Sequence, residues 1–166
     1  MNQVKAVHAT TVVERRFAGV TPPVVFSAWA DVAKRAKWDL PGGEDWVLVE
    51  LAQDFRVGGR EKARFGPREN PRFWSVGEYL DIVPDARIVS AGTMHSEAVR
   101  TSATLLTVEL RAEGDSTHLV LTDQSVYFAA GEAPTDRRSG WGAILDRLGR
   151  FLEGDRTLRQ GVAREH

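Results

Sequence analysis

The 166-residue chain has no cysteine. Disulfide scaffolds, thiolate nucleophiles and cysteine-ligated zinc are therefore excluded. Histidine is scarce too: His8, His95, His118 and His166 are the only ones, and none falls in an HExxH pattern. No metal site or other cofactor is expected, because zinc needs three or four ligands at close quarters. Long apolar runs are missing. The most apolar stretch, Val24 to Ala30, is far too short to cross a bilayer, and Met1 to Thr11 carries no secretory-type apolar segment. No membrane contact is expected, and the cytoplasm is the expected location. Charge of one sign is not in excess: 22 Lys+Arg stand against 23 Asp+Glu, for a net charge of −1. Nucleic acid is not an expected partner, because such binding draws its affinity from neutralising phosphates. The Gly-x-x-x-x-Gly-Lys-Ser/Thr and Gly-x-Ser-x-Gly motifs are also absent, so neither a phosphate loop nor a serine nucleophile is indicated.

What is present fits one globular domain. The apolar fraction is 42%, which supports a folded core. Val7 to Phe17 alternates with β-branched residues and reads as a strand. Thr21-Pro22-Pro23 opens a short helix, with Thr21 as the expected N-cap. Asp31 caps a second, Val32 to Trp38. From Trp46 the period changes to two. Strands are expected near 46–53, 59–65, 72–83, 87–97, 102–112 and 116–127, with breaks at Gly58-Gly59, Gly66-Pro67, Pro84-Asp85 and Gly114-Asp115. The short connections favour antiparallel neighbours. Ala133 to Glu153 reads as a long amphipathic helix, with Trp141, Ile144, Leu145, Leu148, Phe151 and Leu152 on one face. Gly154 is expected to end it, leaving 154–166 as a flexible tail and 7–153 as the domain. The fold class is thus α+β, a curved antiparallel sheet of about seven strands wrapped around the C-terminal helix.

Strand parity then selects residues. If Leu80 and Ile82 face the helix, so do Trp74, Val76 and Glu78. Leu106 carries Thr104 inward, Leu121 carries Asp123, and Phe65 carries Glu61. Three acids, Glu61, Glu78 and Asp123, are expected on an apolar inner face, where each must be paired, hydrated or protonated. The other reading is that they reach solvent at strand ends, or that a bulge reverses their parity.

Four stretches resemble one known family. They are Pro22-Pro23-Val24-Val25-Phe26-Ser27-Ala28-Trp29-Ala30-Asp31 with Trp38, Asp54-Phe55-Arg56-Val57-Gly58-Gly59-Arg60, Gly77 to Val89, and Asp136-Arg137-Arg138-Ser139-Gly140-Trp141 with Leu145-Asp146-Arg147-Leu148. In this order they resemble the activator-of-heat-shock-protein-ATPase-like family of the START/SRPBCC superfamily, which shares the helix-grip fold of the birch pollen allergen. The resemblance implies that fold. It also implies a choice of functions, since the superfamily holds hydrophobic-ligand carriers, cyclases and a chaperone-activating domain. Two departures stand out: Ser90-Ala91-Gly92 and Glu61 replace aromatic residues common in relatives. A roomier, more polar interior is expected from them.

The leading expectation is a protein that binds a small hydrophobic or amphipathic molecule between sheet and helix. Trp38, Trp74, Val76, Glu78, Leu106, Asp123, Trp141 and Leu145 are the candidate lining residues, with Glu78 or Asp123 fixing the polar end. One alternative is an enzyme of the cyclase, dehydratase or hydrolase kind, using Glu78 and Asp123 as acid and base. Another is a module that stimulates a chaperone ATPase. A homodimer is the default assembly.

Overall fold

The computed structural model describes residues 5–128 and 132–164, with the side chains of the last helix through Asp155. In chain order the elements are β1 (Val7–Phe17), α1 (Pro22–Ala30), α2 (Val32–Arg35), β2 (Trp46–Gln53), β3 (Arg60–Pro67), β4 (Phe73–Val83), β5 (Arg87–Ser96), β6 (Val99–Glu113), β7 (Ser116–Tyr127) and α3 (Pro134–Arg164). The seven strands form one antiparallel sheet in the order β1-β7-β6-β5-β4-β3-β2. Short turns join β2 through β7, and only β1 is placed by a long connection, through α1 and α2. The expected helix-grip architecture is the observed one.

The core lies where α3 and α1 cover the β1, β7 and β6 side of the sheet. Ile144, Leu145, Leu148 and Leu152 of α3 are buried, and they meet Val13, Phe17, Val108, Leu110, Leu119 and Leu121. These helix positions form a stripe one turn apart. Each fully buried leucine contributes about 1.5–3 kcal/mol. At its flanks α3 is fixed by polar contacts. Asp146 accepts from Arg15 Nε at 2.9 Å, and Arg147 donates to the carbonyls of Leu40 and, at 3.0 Å, Gly42.

Two local expectations are revised. Asp31 caps α2 through the amides of Ala33 and Lys34, but the Thr21 side chain makes no cap bond to α1. The α3 helix does not stop at Gly154 but continues to Arg164. A glycine costs a helix only ~1 kcal/mol, and no proline follows to terminate it. At 31 residues the helix is about 46 Å long.

The glycines of α3 at 140, 142 and 149 are not tight contacts. A Cβ on Gly149 would stand 3.5 Å from Phe17 Cε1, an ordinary contact. Gly149→Ala is therefore expected to stabilise the protein by about 1 kcal/mol, a rise of about 2–4 °C in Tm. Thermal denaturation followed by circular dichroism checks this, and a fall in Tm would show that the packing there is tighter than the distances imply.

Candidate ligand-binding cleft

The inner face is not closed over by α3. Two cross-strand rows run along its open part. One is Leu51–Ala63–Ser75–Met94–Ser102–Tyr127; the other is Gln53–Glu61–Gly77–Gly92–Thr104–Ser125. Apart from Met94, the middle of both rows is built of small side chains. Leu51, Ala63, Ser75, Gly77, Met94 and Thr104 are only half-buried. The result is a shallow trough with a polar network at each end, about 19 Å apart at ~4.8 Å per strand.

At the first end sits Arg35, 9% exposed, carried inward by α2. Its Nε donates to Asp39 at 2.7 Å. Its Nη1 donates to Glu61 Oε2 at 2.6 Å, Gln53 Oε1 at 2.8 Å and Tyr79 Oη at 3.1 Å. Tyr79 in turn donates to Glu61 Oε2 at 2.7 Å, and Gln53 Nε2 donates to the Ala30 carbonyl at 2.8 Å. The network ties both short helices to β2, β3 and β4. Burial pushes the Glu61 carboxyl up, but the Arg35 charge and the hydrogen bonds from Arg35 and Tyr79 outweigh it and hold Glu61 below the usual carboxylate range. Burial raises the Tyr79 phenol. The remaining carboxylate oxygen, Glu61 Oε1, lies against Gly77 on the trough floor, 3.2 Å from where a Cβ would stand.

At the second end Asp123 is wholly buried on β7. Its Oδ2 accepts from Arg137 Nη1 at 3.0 Å and from Trp141 Nε1 at 2.8 Å, while Oδ1 accepts from the Ser125 hydroxyl. Arg137 Nη1 also reaches Thr104 Oγ1 at 2.9 Å and Ser125 Oγ at 3.2 Å. Its Nη2 reaches Ser102 Oγ at 2.7 Å and Glu132 Oε1, and its Nε reaches Glu132 Oε1 at 3.0 Å. Arg137 lies in the first turn of α3, where the helix dipole opposes a cation. Burial also disfavours its charge. Asp123 and Glu132 outweigh both and raise its pKa.

The expected lining residues divide accordingly. Asp123 and Trp141 come together at one end of the trough, with half-buried Leu106 opposite Asp123 in the β6–β7 register. Trp38 does not line it. It is fully buried, packs edge-on to Trp29 at 4.8 Å and donates to the Ala28 carbonyl. Leu145 is likewise sealed in the core. Trp74, Val76 and Glu78 lie on the opposite face of the sheet. Leu80 is an extra residue between the pairs Tyr79↔Ser90 and Asp81↔Val89, and this bulge inverts the parity of β4. Tyr79, 1% exposed, takes the inward place, while Leu80 is 47% exposed. On the outer face Trp74 carries Lys62 and Arg64 over its ring at 4.7 and 5.1 Å. Glu78 and Asp123 therefore share no space, and the acid–base pair expected from them does not form. Glu61 and Asp123 do face inward, each held in an ion pair. The expected interior room at Gly92 is not room either. A Cβ there would stand 2.2 Å from the Val76 carbonyl oxygen, so the small residue serves strand contact.

Sequence reasoning missed Arg35, Arg137, Glu132, Ser102, Ser125, Tyr79 and Tyr127. A signal for Arg137 existed: it precedes Trp141 by one helical turn on the face that meets Asp123.

Two hollows lie outside the trough. One of about 620 Å³ on the outer sheet face is lined by residues including Ala91, Ala103, Leu105 and Val126. Another of about 440 Å³ lies between Phe17, Val20 and Leu152. Among the described residues no group of His, Asp and Glu is placed to hold a metal ion, and no helix is long and apolar enough to cross a membrane.

A curved antiparallel sheet gripping a C-terminal helix, with its hollow side partly open, defines a helix-grip domain of the SRPBCC type. The family described as "Activator of Hsp90 ATPase homolog 1-like protein" matches residues 19–153, and the chain belongs to it. A protein of unknown function from Rhizobium leguminosarum is 34% identical, with a TM-score of 0.81 over 90% of this chain and 97% of that one. A protein from Rhizobium loti is 35% identical, with a TM-score of 0.79 over 89% of this chain and 99% of that one. An AHSA1-like protein from Aeromonas hydrophila, 20% identical with a TM-score of 0.67 over 89% of this chain and 94% of that one, shares the fold. A search of curated proteins finds no match.

Proposed function

We propose that the chain binds a small hydrophobic or amphipathic molecule in the trough between the sheet and α3. The observation that carries this reading is the half-exposed floor of small residues, Ala63, Ser75 and Gly77, on the concave side of the sheet. A sheet face that served only stability would be covered by large apolar side chains. Here, beyond β6, the buried core cluster draws only on Ile88 of β5 and Tyr79 of β4 among the described residues, and polar networks stand at both ends of the small-residue floor. An apolar floor with a few fixed polar groups is the common composition of a ligand site. Trp141, held by its bond to Asp123, offers a flat apolar wall of fixed orientation.

Titration with Nile red, an uncharged lipophilic fluorophore, tests this. Saturable binding is expected. Met94→Trp, which fills the trough from β5, is expected to weaken binding about tenfold or more. Trp74→Ala, on the outer face, is expected to leave it unchanged. No saturable binding, or equal effects of the two substitutions, would overturn the reading.

A further inference from the structure

Among the described residues, two buried side-chain polar atoms have no hydrogen-bond partner, and both belong to the Arg137 end of the trough. They are Tyr127 Oη and Glu132 Oε2. Tyr127 is 3% exposed. The Arg137 guanidinium lies over its ring at 5.4 Å, and its phenol stands beside the Ser125 hydroxyl, without a bond of proper geometry to it, within electrostatic reach of Arg137, Asp123 and Glu132. Glu132 engages Arg137 through Oε1 alone, which leaves Oε2 unused. Buried polar atoms are nearly always paired, so two orphans in one corner call for a missing partner.

We infer that this corner receives the polar end of the bound molecule, and that this end is an uncharged hydroxyl. The inference rests on the trough being a ligand site. Two observations exclude an anion. The corner holds two carboxylates, Asp123 and Glu132, against one guanidinium, so its formal charge is −1. All five N–H groups of Arg137 are already engaged, by Asp123, Glu132, Ser102, Thr104 and Ser125, so none is left for a carboxylate or phosphate. An ammonium matches the charge but only donates, and would leave the Tyr127 O–H proton unpaired. A hydroxyl accepts from Tyr127 and donates to Glu132 Oε2, pairing both orphans at one atom. Glu132 marks the more open side of this corner, its side chain 18% exposed against 3% for Tyr127.

The test uses four probes of one shape: 2-naphthol, 2-naphthoate, 2-naphthylmethylammonium and 2-methylnaphthalene, titrated calorimetrically at neutral pH. Naphthol is expected to bind about tenfold or more tightly than any of the other three, the difference made by pairing buried polar atoms. Tyr127→Phe and Glu132→Gln are expected to shrink the advantage of naphthol over methylnaphthalene to less than about threefold, with methylnaphthalene affinity unchanged. Tyr127→Phe is also expected to raise the Tm of the free protein, since it removes an orphan; a purely structural role would give that rise without altering probe preference. Naphthoate or the ammonium binding as tightly as naphthol, or a preference unmoved by both substitutions, would overturn the hydroxyl assignment and leave the trough standing. Failure of all four probes would overturn both.

Discussion

Gly92→Ala is expected to destabilise the protein by about 2–4 kcal/mol, lowering Tm by roughly 5–12 °C. Gly92 faces Gly77 across the β4–β5 ladder. A Cβ at Gly92 would stand 2.2 Å from the Val76 carbonyl oxygen and 2.9 Å from Gly77 Cα. Both obstacles are backbone, so no rotamer change relieves them. The two strands must separate or the sheet must flatten, and either movement breaks ladder bonds at the centre of the trough. Gly154→Ala is the control, because nothing lies within 4 Å of its added Cβ. Thermal and urea denaturation measure both. A Gly92→Ala protein as stable as the parent would show that the sheet is not creased at this pair.

Arg35→Met is expected to cost about 3–5 kcal/mol at neutral pH, because it leaves Glu61 and Asp39 without their buried counter-charge. The pH dependence gives the mechanism. In the intact protein Glu61 titrates below its ordinary value. Its contribution is therefore in place above the unfolded carboxyl range, and is lost as pH falls through the lower folded value. Without Arg35, burial, the largest influence, is opposed only by the Tyr79 hydrogen bond and raises the Glu61 carboxyl above its unfolded value. The variant then regains stability as pH falls and the carboxyl takes up a proton. The deficit relative to the parent should be largest near neutrality and narrow towards pH 4. Urea unfolding of both proteins across that window checks the sign. The double variant Arg35→Met, Glu61→Leu is expected to recover much of the loss, since a buried pair replaced by apolar groups is often near neutral. A deficit that stayed constant with pH would assign the effect to lost packing.

The fold was legible because its signals are local. Period-two strands broken by Gly and Pro, and one stripe of leucines in α3, need no long-range information. The inward placement of Glu61 and Asp123 was legible too, because β3 and β7 run without irregularity through Phe65, Ala63 and Glu61, and through Leu119, Leu121 and Asp123. Glu78 was misplaced because Leu80-Asp81-Ile82 reads as regular alternation, whereas one of its two apolar residues is a bulge. Nothing in the residue types marks that extra position. The arginines were passed over for a different reason. A guanidinium in an exposed-looking helical turn is ordinarily solvated, and only the demand of a buried carboxylate reveals that it turns inward. Arg35 and Arg137 became visible as partners only once Glu61 and Asp123 were placed.

The β2 strand forms one border of the sheet, and its ladder is interrupted at Val49, the unmatched residue between Leu48 and Glu50, which is 53% exposed. An incoming strand would meet donors and acceptors out of step at that point, so the border resists growth into a continuous sheet shared by two molecules. The protein is thereby guarded along this side against the runaway stacking that open β-edges invite.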